Sequence, residues 1–260
     1  MMKEFYIPCD CMQVHAKLDL PAGKTEGEKM PLLVVFHGFT GHMEERHIIA
    51  VAEAAREEGF ATLRVELYGH GKSDGDFSDH TILHWMTQGM RVIDYAAGLD
   101  WVSSIYLTGH SQGGLNAVLV AGIMQDKIRG LIPMSPAMVI RDGAREGELL
   151  GFTFDPENPP ESITNDSGVT LKGNYARVAR ILPVEECIAT YHGPVCVIHG
   201  TKDLTVPYQY GVDLAEQYQA QGNDAELVTI EGADHCYDRD EELSQVCDAV
   251  RKFLRREEVS

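Results

Sequence analysis

The 260-residue sequence predicts an α/β protein with a mostly parallel sheet flanked by helices. Three observations carry that expectation. Short apolar runs of β type alternate with longer amphipathic segments, the rhythm of strand–helix–strand crossovers. Runs such as PLLVVFHG (31–38) are apolar throughout, as strands covered on both faces must be. Finally, SIYLTG (104–109) passes directly into GHSQGG (109–114) and then into an apolar segment long enough for a helix.

The elements follow in order. VHAKLDL (14–20) alternates with period two and reads as an early antiparallel strand; PLLVVFHG is the first buried strand. EERHIIAVAEAAREEG (44–59) has helical spacing, acidic residues expected in its first turn and Gly59 as its stop. ATLRVEL is a strand, TILHWMTQGMRVIDYAAGLD a helix, SIYLTG a strand and GLNAVLVAGIMQ a helix. IRGLIPMSP and PVCVIHG are strands, PYQYGVDLAEQYQA a helix, AELVTI the last strand, and DEELSQVCDAVRKFLRREE the closing helix. Residues 1–260 read as one domain. Residues 137–185 exceed what a crossover needs, and their Pro- and Asn-rich middle, FTFDPENPPESITNDSGVTLKG, reads as an inserted lid over the C-terminal edge of the sheet.

Bulk composition narrows the function. The formal charge of −18 repels phosphate backbones and anionic lipid, so neither nucleic acid nor a membrane surface is expected as a partner. No run is long enough for a signal peptide or a membrane span, which sets the expectation of a cytoplasmic protein. The six cysteines lack zinc-like spacing and are expected to be reduced; no metal and no cofactor is expected. A small-molecule substrate fits, and a homodimer is left open.

A serine between glycines at a strand-to-helix join is the geometry of a nucleophile on a sharp turn, although a capping serine at a helix start shares the pattern. Ser111 as nucleophile requires a base and an orienting carboxylate from later strand-end loops. Of the later histidines, His192 precedes its strand and His199 closes one as a packed residue, whereas His235 follows the last strand in VTIEGADHCYD. Asp203 follows PVCVIHG in HGTKDLTVP, and Asp234, adjacent to His235, reads as a turn residue. An oxyanion hole is expected from the N–H groups of Gln112 and of Phe39 in the loop after PLLVVFHG. His37 and His110 read as structural, and YGHGKSDG (68–75) as a supporting loop.

HGFTGHMEERH, LYGHGKSDG, GHSQGG, HGTKDLTVP and EGADHCY together resemble the α/β-hydrolase fold and, within it, the bacterial feruloyl (cinnamoyl) esterases. The likeness runs over nearly the whole chain, including GELLGFTFDPENPP and LKGNYARVARILP in the insertion. It implies a serine esterase cleaving hydroxycinnamate esters, with Ser111, His235 and Asp203 as triad, Phe39 and Gln112 as oxyanion donors, and a small lid. Tyr175 falls where such lids place a tyrosine near the phenolic end of the substrate, and Phe152 and Phe154 are expected beside it in the acyl pocket. The sequence departs from the pattern at ESITNDSG (161–168), which has no aromatic residue where relatives can carry a tryptophan. A short-chain carboxylesterase, a peptidase or acyltransferase on the same machinery, and a non-catalytic ligand-binding member of the fold are the competing readings.

Overall fold

The computed structural model describes residues 2–259. The chain opens with β1 (Met2–Cys9), β2 (Met12–Asp19), β3 (Met30–Phe36), α1 (Arg46–Glu57), β4 (Ala61–Val65), α2 (Ile82–Ala97), β5 (Val102–His110), α3 (Gln112–Ile123) and β6 (Gly130–Met134). The insertion holds α4 (Val139–Glu146), β7 (Glu148–Leu149), β8 (Phe152–Thr153), β9 (Ser162–Thr164), β10 (Thr170–Lys172), α5 (Asn174–Ala179) and α6 (Val184–Thr190). β11 (Val195–Gly200), α7 (Gln209–Ala220), β12 (Ala225–Ile230) and α8 (Asp240–Val259) complete it.

Eight strands form the main sheet in the order β1-β2-β4-β3-β5-β6-β11-β12. From β4 to β12 every pairing is parallel; β2 joins β4, and β1 joins β2, antiparallel. The alternation of β3 explains its unbroken apolar run. Leu32, Val34 and Phe36 face the core beneath α2 and α3, whereas Leu33 and Val35 face the core beneath α1 and α8. Both faces are covered, so neither set can be polar.

Two elements depart from the sequence expectation. β1 was not anticipated; its inward residues Phe5, Ile7 and Cys9 follow the period of two, and Pro8 is compatible with an edge strand because no ladder hydrogen bond is asked of it. A two-residue turn, with Asp10 at φ 51°, closes it onto β2. α1 starts at Arg46, so the acids expected in its first turn, Glu44 and Glu45, precede the helix.

α3 is buried along almost its whole length, beginning at the Ser111 turn and packing against α6. This close packing needs Gly122, because a Cβ there would stand 2.3 Å from the Cys187 carbonyl oxygen. Helix propensity alone makes Gly→Ala favourable by about 1 kcal/mol. Overpacking against a fixed backbone costs about 1–3 kcal/mol, so Gly122→Ala should lower the thermal midpoint, and calorimetry would read the sign directly.

Candidate active site

The loops after β3, β5, β11 and β12 converge at the C-terminal edge of the sheet, the end where open α/β sheets bind ligands. Ser111 sits between β5 and α3 at φ 55°, ψ −120°, a backbone conformation rare for a residue with a side chain. The surrounding backbone fixes it. Its N–H donates to the Met134 carbonyl (2.9 Å), and its carbonyl accepts from Leu115 (3.0 Å) and Ala137 (2.9 Å). The flanking glycines leave no alternative: a Cβ at Gly109 would lie 2.2 Å from the Gly113 carbonyl oxygen, and one at Gly113 2.3 Å from that of His37. The turn thus has room only for hydrogen at both ends.

His235 Nε2 lies 2.9 Å from Ser111 Oγ, and His235 Nδ1 2.7 Å from Asp203 Oδ2. Nδ1–H donates to the carboxylate, which leaves the Nε2 lone pair facing the serine hydroxyl. Asp203 Oδ1 accepts from the Thr205 and Val206 N–H groups at 2.9 and 2.8 Å. The side chain of Asp203 is wholly buried. Burial opposes its ionisation, but the His199 and His235 donors and the Val206 N–H outweigh it and hold the carboxyl well below the usual range. Asp234 Oδ1 accepts from the N–H groups of Cys236 and Asp238, both at 3.1 Å, as a turn residue does.

His199 does more than the packing read from the sequence. It is fully buried, and its Nε2 lies 3.0 Å from the Val206 carbonyl oxygen and 3.2 Å from Asp203 Oδ2. One N–H therefore bridges the loop and the carboxylate, giving Asp203 its fourth donor. The pairing spans β11 and its own following loop, and the HGTKD spacing was its only trace in the sequence. His192 is exposed just ahead of β11, at the far end of that strand.

Two turns border Ser111 on the side where the sequence leads one to expect oxyanion donors. Gln112 is the first residue of α3, so its N–H has no intrahelical partner. Phe39 follows β3, and its carbonyl is held by His70 Nε2 from the YGHGKSDG loop. His37 Nδ1–H donates to the Gly38 carbonyl (2.8 Å), while Nε2 accepts from the Leu67 N–H (3.0 Å), so the ring is neutral. Burial, with His70 nearby, pushes its pKa down to about 3. His110 donates from Nε2 to the His235 carbonyl (2.7 Å) and so braces the histidine loop from behind.

A cleft of about 400 Å³ opens over Ser111 and His235. Phe39, Thr40 and Glu45 line it, with Leu150, Asn165, Ser167 and Val169 from the insertion. Phe152, Phe154 and Tyr175, expected in the acyl pocket, do not line it. Tyr175 is 1% exposed, and its hydroxyl donates to Gln112 Oε1 at 2.6 Å. Phe152, also 1% exposed, meets the Phe39 ring edge-on at 6.2 Å, and Tyr175 meets it at 5.9 Å. Phe154 is half-buried against the core. The physical reason is that large rings gain more by filling the seam between insertion and sheet than by facing an open cleft. The six cysteines are all free, and among the described residues no group of side chains could hold a metal ion. Among the described residues, no helix is long and apolar enough to cross a membrane.

Fold and site define the class: a serine ester hydrolase of the α/β-hydrolase fold. The chain belongs to the prolyl oligopeptidase family, whose model matches residues 46–257. Est1E from Butyrivibrio proteoclasticus, solved with ferulic acid bound, is 48% identical, with a TM-score of 0.93 over 98% of this chain and 100% of that one. The mitochondrial palmitoyl-protein thioesterase ABHD10 of Mus musculus is 24% identical over 219 residues, 80% of this chain and 69% of that protein. Protein ABHD12B of Homo sapiens is 24% identical over 189 residues, 72% of this chain and 49% of that protein, so the chain spans about half the length of that relative.

Asp203→Asn should slow turnover by about 10⁴, since an amide leaves His235 in the wrong tautomer; Asp234→Asn should leave the rate near wild type, and steady-state kinetics would separate them. His199→Phe removes one donor to a charged acceptor, worth about 1.5–3 kcal/mol. The depressed Asp203 pKa then rises towards its ordinary value. Because a carboxyl with a lowered folded pKa stabilises above its unfolded pKa and loses that contribution as pH falls, the variant should be less stable at neutral pH and lose activity at a higher pH on the acid side. Chemical denaturation and a pH–rate profile check both.

Proposed function

We propose that this protein hydrolyses esters of hydroxycinnamic acids through an acyl-enzyme on Ser111. The observation that carries the reading is the likeness to Est1E with ferulic acid bound, 48% identical across 98% of the chain, insertion included. Ser111 Oγ bonds to the ester carbonyl carbon as its proton passes to His235 Nε2. The Phe39 and Gln112 N–H groups receive the negative oxygen, each such donor being worth roughly 10²–10³ in rate. Collapse breaks the C–O bond to the alcohol, and His235 returns the proton to the departing oxygen. Water then attacks the acyl carbon by the same route and frees the acid, with Asp203 balancing the imidazolium each time. The insertion acts as the lid, offering Leu150 and Val169 to a flat ring, and Asn165 and Ser167 to its oxygens. A cytoplasmic setting is supported by six free thiols.

A short-chain carboxylesterase is favoured by one feature: the strip of cleft wall from the insertion contains no aromatic ring. The experiment is a panel of esters from acetate to ferulate. A preference for ferulate in kcat/KM supports the first reading, and a steady fall beyond butyrate supports the second. Ser111→Ala should cut turnover by roughly 10⁶ and abolish labelling by a fluorophosphonate; retained labelling would show that another serine reacts. Tyr175→Phe leaves Gln112 Oε1 buried without its donor, at a cost of about 1–3 kcal/mol. It should therefore lower stability and slow all esters alike, rather than raise KM for ferulates only.

A further inference from the structure

The two halves of an ester meet different walls of the cleft, and the proton path decides which. His235 must hand its proton to the departing alcohol oxygen, so that oxygen lies within hydrogen-bond reach of His235 Nε2. The alcohol half therefore rests against the wall beside His235. Cys236 follows His235 in the chain, and Thr205 comes from the Asp203 loop; both line the cleft, together with Gly41 and Glu45. Glu45 belongs to the same wall. Its Oε2 stands 4.0 Å from His47 Nε2, the His47 ring is 4.2 Å from that of His110, and His110 is 4.7 Å from His235.

Glu45 is the one carboxylate among the described residues that line the cleft, and no lysine or arginine lines it. Its Oε2 receives only a 3.3 Å hydrogen bond from the His42 N–H, and Oε1 has no protein partner among the described residues. Gly41 makes room for the carboxylate at the cleft wall, since a Cβ there would fall 2.2 Å from Oε2. His47 does not neutralise it, because burial, with His235 and Arg46 nearby, pushes its pKa down to about 4. The wall that receives the alcohol thus carries a carboxyl group with unspent acceptor capacity and no charged partner of its own among the lining residues, its pKa raised by burial against the lowering effect of the His42 N–H.

We propose that Glu45 selects the alcohol half of the ester: it accepts hydrogen bonds from uncharged polyhydroxylic alcohols, of the glycerol or sugar kind, and excludes alcohols that carry a carboxylate of their own. Like charges brought together in a partly desolvated cleft repel strongly, and the overall charge of −18 adds to the barrier against anionic substrates. The inference rests on the ester-hydrolase reading above but is independent of the aromatic acyl preference.

The test uses the whole protein and three ferulate esters: of methanol, of glycerol, and of glycolic acid with its carboxylate free. A parallel butyrate set keeps the experiment decisive if ferulates are not preferred. The kcat/KM of each ester is divided by that of the methyl ester of the same acid, which cancels any general loss of activity. The wild type should favour glycerol over glycolate by on the order of tenfold or more, and about 1 M salt should shrink that ratio. In Glu45→Gln the ratio should fall to about twofold, chiefly through faster hydrolysis of the glycolate ester, one tenfold change being about 1.4 kcal/mol. If Glu45→Gln is poorly folded, Glu45→Asp and the salt series on the wild type stand in its place. A wild-type ratio near one, or a ratio unmoved by both substitution and salt, overturns the proposal. Failure to cleave any ester, methyl included, overturns the hydrolase reading and this proposal with it.

Discussion

Everything at the C-terminal edge of the sheet depends on the backbone of Ser111. A serine at φ 55° and ψ −120° is strained by on the order of 1–3 kcal/mol. It persists because the Met134, Leu115 and Ala137 backbone groups hold its N–H and carbonyl. Two glycines let strand, turn and helix close to distances that a single methyl group would forbid. The same turn sets three things at once: the direction of Oγ, the free N–H at the start of α3, and the approach of the Gly38–Phe39 loop. The Ser111 hydroxyl and the N–H groups beside it are thereby tied to one local geometry, which is how a site is pre-organised without moving parts.

The electrostatics of the site are set by burial as much as by charge. His37, His47, His80 and His110 all lie near the cleft, and burial lowers the pKa of each. His37, His80 and His110 hydrogen-bond to neighbouring backbone groups, bracing loops without adding positive charge. Asp203 is the opposite case. Burial penalises its charge, but four donors more than compensate, so it stays ionised where a bare buried carboxyl would not. The contrast leaves His235 paired with a fixed negative charge at 2.7 Å, which it shares with the more distant His199 ring at 3.2 Å.

The insertion binds itself to the site through a polar pair rather than through apolar packing alone. Tyr175 brings its hydroxyl 2.6 Å from Gln112 Oε1, so the first residue of α3 contributes its backbone to the cleft and its side chain to the insertion. Around that bond, Phe39 meets Phe152 and Tyr175 edge-on, which anchors the loop after β3 against the same seam. The insertion residues left facing the cleft, Leu150, Asn165, Ser167 and Val169, carry no ring, and that character follows from where the rings are needed.

The sequence by itself determined what short-range rules govern. Continuous apolar runs mark strands covered on both faces, period-two alternation marks β2, and glycines flanking Ser111 mark a turn that tolerates no Cβ. The order of Ser111, Asp203 and His235 along the chain, each just beyond the C-terminal end of a strand, followed from those elements, because a parallel sheet brings all its C-terminal loops to one edge. β1 was legible too, in the alternation of Phe5, Ile7 and Cys9, but Pro8 and the lone position at the edge masked it. Only the tertiary structure decided how distant residues divide the available space. Tyr175 and Gln112 lie 63 positions apart, and no local period shows that one will bond the other rather than a substrate. The partial burial of Glu45 and the full burial of Phe152 likewise depend on how the insertion docks and how α1 is set against β3. Secondary structure is written in near neighbours, whereas the lining of a cleft is the remainder left after all the packing has been satisfied.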